Sequence, residues 1–194
     1  MGLESTAVLI DAGYLGEISK RFSNNRGYLK VDILNLSKYI SIKIGCWMRE
    51  TYYYTAPPFQ GTPPTNNESK FKAGYDKFIS KLRKDGIIVR EGRVQKIDGD
   101  FSQKGVDTLL VMDLMQIASK KKYKTIILLA CDTDFVPIIN KLSNEDGIKI
   151  HLYYYTDKIR KSKFSMSNEI LDACKNKTLL TKEYFIRNLR KKQI

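Results

Sequence analysis

Residues 125–134, with the sequence TIILLACDTD, decide the fold class of this chain. The apolar run IILLA has no polar alternation, and Asp132 and Asp134 follow it closely. Such a run is typical of a strand that is buried on both faces of a parallel sheet. Residues 7–10, with the sequence AVLI, repeat the pattern and are followed by Asp11. Two strands of this kind predict an α/β fold with helices on both faces of the sheet.

Outward from these two strands, helical apolar periodicity alternates with short β-branched or tyrosine-rich runs. The predicted helices are residues 31–44, 71–84, 106–119 and 135–143. The further predicted strands are residues 48–55, 87–94 and 148–155. This alternation predicts a three-layer α/β/α sandwich with a mainly parallel sheet. Residues 56–69 are rich in proline, glycine and asparagine, and we interpret them as a loop on the substrate side.

The composition predicts one folded domain and an anionic partner. The chain has 194 residues, of which 42% are apolar, which is enough for a single core. Its 34 Lys and Arg residues exceed its 21 Asp and Glu residues, and the net charge of +13 favours a polyanion. Residues 158–194 hold eleven basic and three acidic side chains. We interpret them as a basic helical extension of a domain formed by residues 1–157.

Other protein classes fit this sequence poorly. Every apolar run is far shorter than the ~18 residues that cross a bilayer, so we expect no membrane association. Residues 1–6 lack the basic and apolar segments of a secretion signal, and we expect a cytoplasmic protein. The three cysteines are widely spaced and there is one histidine, which argues against disulfide scaffolds and zinc sites. Whether the protein forms a homodimer is left open.

Four aspartates fall where the predicted strands end. Asp11 ends the first strand, and Asp132 and Asp134 follow the strand at 125–130. Asp107 opens the helix at 106–119. The carboxyl ends of parallel strands and the helices that follow them share one edge of the sheet, so we expect these side chains to meet. Carboxylates in such proximity repel one another unless a cation neutralises them.

The residue types around this edge indicate the cation and the chemistry. Oxygen ligands without histidine or cysteine favour Mg²⁺ or Mn²⁺ over zinc. An acidic metal site in a basic protein is typical of a nuclease, because basic residues attract the phosphate backbone. For any single aspartate the simpler alternative is a helix N-cap. Asp113 lies about 120° around the helix from Asp107, and we expect it to be buried and paired instead of binding metal.

Five short motifs occur in order along the chain. They are LIDAGYL at 9–15, YYYTAPP at 52–58, KGVD at 104–107, MDL at 112–114 and CDTDFVP at 131–137. Their order and spacing resemble the NYN domain family, and within it the bacterial LabA-like branch, also called DUF88. That family is similar to the PIN-domain nucleases. The resemblance extends to about residue 170.

The resemblance implies a PIN-like, Rossmannoid fold with a Mg²⁺ or Mn²⁺ site. It also implies a ribonuclease, a hydrolase that leaves 5′-phosphate and 3′-hydroxyl ends on RNA. The catalytic, metal-binding acids of the family fall on the four aspartates that end the strands, Asp11, Asp107, Asp132 and Asp134. The chain departs from the family at Tyr14, where many members have asparagine, and at Cys131, where glycine is usual. The first departure concerns the positioning of substrate.

A working mechanism assigns roles to these residues. We expect Asp11, Asp107 and Asp132 to hold one metal ion, with Asp134 at a second or water-bridged position. We expect substrate contacts from Tyr14 at the edge of the site and from Lys104 and Thr133 at the scissile phosphate. The basic residues expected to follow the RNA strand are Lys158, Arg160, Lys161 and Lys163.

Two alternatives stay open at this point. A catalytically weak or inactive RNA-binding or regulatory protein would have the same fold, and the departure at Tyr14 favours such a protein. Residues 132–136 also match the D-x-D-x-[TV] nucleophile motif of haloacid-dehalogenase-like phosphatases. That motif usually belongs to the first strand of its fold, whereas here only about sixty residues follow it.

Overall fold

The computed structural model describes residues 2–24, 27–97, 100–157 and 166–190. The strands in these ranges are β1 (Glu4–Asp11), β2 (Cys46–Thr55), β3 (Ile88–Glu91), β4 (Arg93–Ile97), β5 (Asp100–Lys104), β6 (Thr125–Leu129), β7 (Lys149–Tyr154) and β8 (Asn176–Leu179). The helices are α1 (Ala12–Phe22), α2 (Ile33–Lys43), α3 (Asn66–Lys84), α4 (Val106–Ser119), α5 (Val136–Asn144), α6 (Asn168–Ala173) and α7 (Lys182–Arg187). A 3₁₀ turn spans Thr133–Phe135.

Six strands form the main sheet, in the order β3-β2-β1-β6-β7-β8. Every neighbouring pair in this sheet is parallel. The chain passes from β1 to β2 and β3 on one side, and then to β6, β7 and β8 on the other side. The strand order therefore reverses between β1 and β6, which is where ligands bind in open parallel sheets.

Two consecutive tyrosines of β2 illustrate how helices cover both faces of the sheet. The Tyr54 hydroxyl donates a hydrogen bond of 3.0 Å to Asp113 on α4. Tyr53 points to the other face, because neighbouring strand residues alternate, and its ring centroid lies 5.9 Å from that of Phe78 on α3. The Tyr153 hydroxyl on β7 donates to the Ile40 carbonyl on α2 at 2.8 Å. The predicted three-layer α/β/α sandwich of the PIN-like type is confirmed.

The two central strands form the centre of the core. No surface is exposed at residues 7–10 of β1 or at residues 126–129 of β6. Ala130, which follows β6, is also fully buried. Both apolar runs that predicted doubly buried strands are thus confirmed. The helices pack one side against this sheet and expose polar residues on the other. Leu36 on α2 and Leu110 on α4 are examples of the fully buried side chains on the packed side. Within the described ranges, no helix combines the length and apolar character needed to cross a bilayer.

The region before α4 differs from the prediction. A single strand at 87–94 followed by a loop was expected, but β3 ends at Glu91 and β4 and β5 form a separate antiparallel hairpin. Gly92 explains the break, because a Cβ atom there would lie 2.5 Å from the Lys104 carbonyl oxygen. The absence of a side chain allows the two ends of the hairpin to approach each other beside the start of α4.

The predicted loop at 56–69 is shorter than expected, because α3 begins at Asn66. A capping box fixes this helix end: the Glu68 amide donates to Thr65 Oγ1 at 3.2 Å, and the Thr65 amide donates to Glu68 Oε2 at 2.6 Å. The pattern Thr-x-x-Glu is a sequence signal for such a start, and the first five residues of the helix carry no apolar periodicity.

The C-terminal segment contains a strand as well as helices. β8 pairs with β7 in parallel and forms the edge of the main sheet. The Leu180 amide then donates to the Tyr154 carbonyl at 2.7 Å, which fastens the segment to the sheet beyond β8. The expectation of a purely helical extension is therefore wrong for residues 176–179. The short polar sequence NKTL of β8 gave no apolar run by which to predict a strand.

Candidate metal centre

Asp11 is the last residue of β1 and also the N-cap of α1. Its Oδ1 accepts a hydrogen bond of 2.8 Å from the Gly13 amide, which fixes the direction of the carboxylate. Burial raises the pKa of the Asp11 carboxyl to about 6 despite that hydrogen bond, and the negative charges of Asp107 and Asp132 add to the rise. The carboxylate is therefore a destabilised anion in a protein without a bound cation.

Asp107 comes from a different element, the first turn of α4. Gly105 precedes the helix with a φ of +80°, a left-handed conformation that glycine adopts without strain. The residue is exposed overall, yet partial burial of its carboxyl group raises its pKa, as do the charges of Asp132 and Asp134. The N-cap position of α4 is Gly105, and Asp107 lies in the first turn that follows, so the N-cap alternative does not describe it.

Asp132 follows β6 and caps the 3₁₀ turn. Its Oδ1 accepts a hydrogen bond of 2.9 Å from the Asp134 amide. Asp11 and Asp132 are thus N-caps, and both are also directed to the same edge of the sheet. Asp134 is exposed, as Asp132 is, and it lies two residues further along the chain from β6. Capping explains the orientation of Asp11 and Asp132, but it does not require that they face one another.

The structure brings three of the four predicted acids to one cavity. This cavity has a volume of about 290 Å³ and is lined by Asp11, Gly13, Tyr14, Gln103, Val106, Asp107, Cys131 and Asp132. It lies between β1 and β6, at the reversal of strand order. Asp134 does not line the cavity, although its charge raises the pKa of Asp107.

The donor set fits a hydrated hard cation better than a closed metal cage. In the described part of the chain, no three His, Cys, Asp or Glu side chains are grouped closely enough to form a ready-made metal site. Mg²⁺ keeps several waters and is usually bound through one or two carboxylates, so acids that share a cavity without touching fit its requirements.

Cys131 borders the same cavity as a neutral thiol. Burial raises the pKa of this thiol to about 12, and the charges of Asp11, Asp132 and Asp107 contribute. The soft thiolate ligand that would attract zinc is therefore disfavoured at neutral pH. This leaves the cavity with oxygen ligands.

Tyr14 has a structural role. The side chain is buried, and its hydroxyl oxygen accepts a hydrogen bond of 2.7 Å from the Tyr155 amide. This bond joins α1 to the residue after β7. Part of Tyr14 also lines the acid cavity. A substrate contact by Tyr14 stays a prediction, and it concerns the ring, because the hydroxyl is engaged within the fold.

The remaining predicted substrate contacts lie around the cavity or outside the described residues. Lys104 is exposed at the end of β5 and lines a neighbouring cavity of about 470 Å³. Thr133 lies between Asp132 and Asp134 in the 3₁₀ turn. The four basic residues expected to follow RNA fall outside the residues that the structure describes: Lys158, Arg160, Lys161 and Lys163.

Gln103 is a site residue that sequence reasoning missed. It lines the acid cavity, and it also lines two adjoining cavities of about 540 and 440 Å³ that are rich in aromatic residues. A search for acids, bases and metal ligands passes over a neutral amide. The only sequence signal was its position two residues before the Gly105 turn.

Asp113, by contrast, is placed as predicted. It is buried and lies outside the acid cavity. Arg90 donates to both of its carboxylate oxygens, and the Tyr54 hydroxyl donates to one of them. The expectation that Asp113 is buried and paired is confirmed.

Comparison with known proteins identifies relatives and supports the fold. The family model described as "NYN domain" matches residues 5–180. The "Uncharacterized protein y4oD" of Sinorhizobium fredii (strain NBRC 101917 / NGR234) is 35% identical over 60 residues, which cover 31% of this chain and 28% of that protein. A crystal structure of a protein of unknown function, VPA0982 from Vibrio parahaemolyticus RIMD 2210633, matches with a TM-score of 0.63 and 19% identity. That match covers 92% of this chain and 94% of the other, and it supports the fold alone.

Proposed function

The chain belongs to the NYN domain family, and we propose that it is a metal-dependent ribonuclease of the LabA-like branch, acting in the cytoplasm. The observation that carries the proposal is the cavity shared by Asp11, Asp107 and Asp132 at the reversal of strand order. Acids from three separate elements converge there in a chain with a net charge of +13. The three carboxylates suit a hard cation, and the excess of basic residues suits a ligand that carries phosphates.

The proposed reaction is hydrolysis of an RNA phosphodiester. A water adds to phosphorus in line, and the 3′-oxygen of the preceding nucleotide leaves, which gives 5′-phosphate and 3′-hydroxyl ends. When bound, Mg²⁺ or Mn²⁺ supplies activation of water and compensation of the charge that develops at phosphorus. Asp11, Asp107 and Asp132 would hold this cation.

The residues of the chain contribute orientation and charge. The Gly13 amide holds one oxygen of Asp11, and the Asp134 amide holds one oxygen of Asp132. Both carboxylates are therefore already oriented before a cation binds. Asp134, which raises the pKa of Asp107, would act at a second or water-bridged position. Lys104 and Thr133 would contact the scissile phosphate. The basic residues after 157 would follow the RNA strand.

The test is cleavage of mixed single-stranded and structured RNA, with DNA as a control, in Mn²⁺, Mg²⁺ and EDTA. Wild type and Asp132→Asn are compared with Asp146→Asn. Asp146 is an exposed aspartate before β7, at the opposite edge of the sheet, so its change is chemically matched. We expect metal-dependent cleavage of RNA that Asp132→Asn reduces at least a hundredfold and Asp146→Asn leaves intact. Cleavage that persists in EDTA or in Asp132→Asn would contradict the proposal.

A second candidate is an RNA-binding protein on the same fold that has lost rapid turnover. The observation that favours it concerns Tyr14, which stands where many NYN proteins have asparagine. Its hydroxyl accepts a hydrogen bond from the Tyr155 amide and is therefore engaged within the fold. This candidate predicts RNA binding without metal and with a steep salt dependence. Wild-type protein that binds RNA in EDTA but cuts none in Mn²⁺ would support it over the ribonuclease.

A further inference from the structure

Three phenylalanines form an open groove beside the acid cavity. Phe71 on α3 is 71% exposed, and Phe101 on β5 is 60% exposed. Phe59, in the loop before α3, packs against Phe101 with ring centroids 5.2 Å apart. Together with Pro58 and Val94 they line a cavity of about 440 Å³. Large apolar side chains left in water at one place mark a binding surface.

The groove is continuous with the candidate metal centre. Gln103 lines both the groove and the acid cavity. Phe101 and Gln103 are two residues apart on β5, so their side chains point to the same side of the hairpin. A molecule that rests on Phe101 and extends along β5 to Gln103 therefore reaches the cavity of Asp11, Asp107 and Asp132.

The charges at the groove suit a ligand with an apolar face and an anionic backbone. Lys96 pairs with Phe101 across the hairpin, and its Nζ lies 5.6 Å from the centroid of the Phe101 ring. Glu68 also lines the groove, but its carboxylate accepts a hydrogen bond from the Thr65 amide and serves the helix cap. The flat ring faces offer stacking, and the ammonium group offers attraction to phosphate.

These observations, together with the proposed ribonuclease function on which this inference rests, lead us to propose that the groove is a nucleobase subsite. An unpaired base of the RNA stacks on Phe71 and Phe101. Its backbone runs past Gln103 to the acid cavity. A base within a duplex is stacked and paired and does not enter, so the subsite selects single-stranded RNA.

A binding experiment in EDTA tests the subsite apart from catalysis. The probes are a short unstructured RNA and an abasic oligonucleotide of the same length, which has the same backbone charge. Wild type is compared with Phe71→Ala/Phe101→Ala and with Trp47→Ala. Trp47 is 55% exposed near the start of β2, at the opposite edge of the sheet, and serves as the matched control.

We expect the double variant to bind the base-containing RNA about tenfold to a hundredfold more weakly than wild type does. Its affinity for the abasic probe should be unchanged, and Trp47→Ala should bind both probes like wild type. Phe71→Tyr/Phe101→Tyr keeps both aromatic rings and should bind the base-containing RNA like wild type. Because Phe71 and Phe101 are exposed, the melting temperature of each variant should stay near that of wild type.

The outcomes separate this inference from the proposed function. Equal binding of the two probes by wild type, or an equal loss on both probes in the double variant, would overturn the base subsite. The same conclusion follows if the phenylalanine variants bind like wild type while RNA is still cut in Mn²⁺, and the ribonuclease then stands. Loss confined to the base-containing probe, with no cleavage by wild type, would support the subsite and contradict the nuclease.

Discussion

Arg90 on β3 and Asp113 on α4 form a two-pronged ion pair that joins the edge of the sheet to the helix carrying Asp107. Arg90 Nε donates to Asp113 Oδ2 at 2.8 Å, and Nη2 donates to Oδ1 at 2.5 Å. The side chain of Asp113 is 5% exposed, whereas that of Arg90 is 40% exposed. The pair is therefore asymmetric, because the carboxylate depends on its partner and the guanidinium also reaches water.

This asymmetry predicts different losses for the two single variants. Arg90→Met leaves a buried carboxylate without its cation and should lower the free energy of unfolding by about 3 kcal/mol. Asp113→Asn keeps an oxygen for the Tyr54 hydroxyl and leaves a partly hydrated arginine, so about 1–2 kcal/mol should be lost. Urea denaturation monitored by circular dichroism measures both values.

The double variant and a surface pair complete this experiment. Arg90→Met/Asp113→Asn should be more stable than the sum of the two losses implies, because it removes the unpaired charge. Arg83→Met breaks the exposed pair between Arg83 and Glu91 and should change stability by about 0–1 kcal/mol. Equal losses in the two single variants would contradict the asymmetry.

Elements that are buried on both sides were the most predictable from the sequence. β1 and β6 consist of apolar runs because each faces a helical layer on both sides. Helix α4 was predicted with both of its observed ends, 106 and 119, since Gly105 precedes it and lysines follow it. The meeting of Asp11, Asp107 and Asp132 at one cavity follows from the rule that ligand sites lie at the carboxyl ends of parallel strands.

Exposed elements and distant contacts were not predictable from local patterns. Most side chains of β5 are exposed, so the β4–β5 hairpin carries no periodicity that distinguishes it from a loop. The role of Gly92 depends on the Lys104 carbonyl, which only the fold brings near. The Tyr14 hydroxyl binds an amide 141 residues away. Each of these features depends on tertiary approach between segments, about which spacing in the sequence gives no information.

Gly92 should be intolerant of any side chain. A Cβ atom would lie 2.5 Å from the Lys104 carbonyl oxygen and 2.8 Å from a methyl group of Val106, and the backbone oxygen has little freedom to move. We expect Gly92→Ala to lower stability by about 1–3 kcal/mol. Gly74 is the matched control, because it is helical with open space around it, and Gly74→Ala should raise stability by about 0.5–1 kcal/mol. Thermal melts that move in the same direction for both variants would contradict this account.

The buried ring of Tyr14 should resist replacement by the asparagine that many NYN proteins have. Tyr14→Phe loses the hydrogen bond from the Tyr155 amide and should cost about 1 kcal/mol of stability. Tyr14→Asn also removes the ring and should cost about 3–5 kcal/mol. Urea denaturation gives the ranking, and RNA cleavage in Mn²⁺ should be retained by Tyr14→Phe. An asparagine variant as stable as wild type would show that the ring contributes little to packing.

Asp11 should destabilise the metal-free protein near neutral pH. Burial, with the nearby negative charges, raises its pKa from 3.8 to about 6, so the folded protein binds more protons than the unfolded chain between these values. Stability in EDTA should therefore fall as pH rises through about 6. Asp11→Asn removes the charge and retains an oxygen for the Gly13 amide. We expect this variant to be about 1–3 kcal/mol more stable than wild type in EDTA near pH 7, and the difference to shrink toward pH 5.

Addition of Mn²⁺ should reverse this order of stabilities. A cation that binds only the folded protein stabilises wild type by about 4.1 kcal/mol at a thousand times its Kd, which exceeds the expected difference in EDTA. Asp11→Asn lacks one of the three acids of the cavity and should gain much less, whereas Asp146→Asn should respond like wild type in both conditions. An equal Mn²⁺ response of Asp11→Asn and wild type would remove Asp11 from the metal site. The measurements in EDTA and in Mn²⁺ test charge burial and metal binding separately. A lower stability of Asp11→Asn than of wild type in EDTA would show that the Asp11 carboxylate is not a destabilised anion.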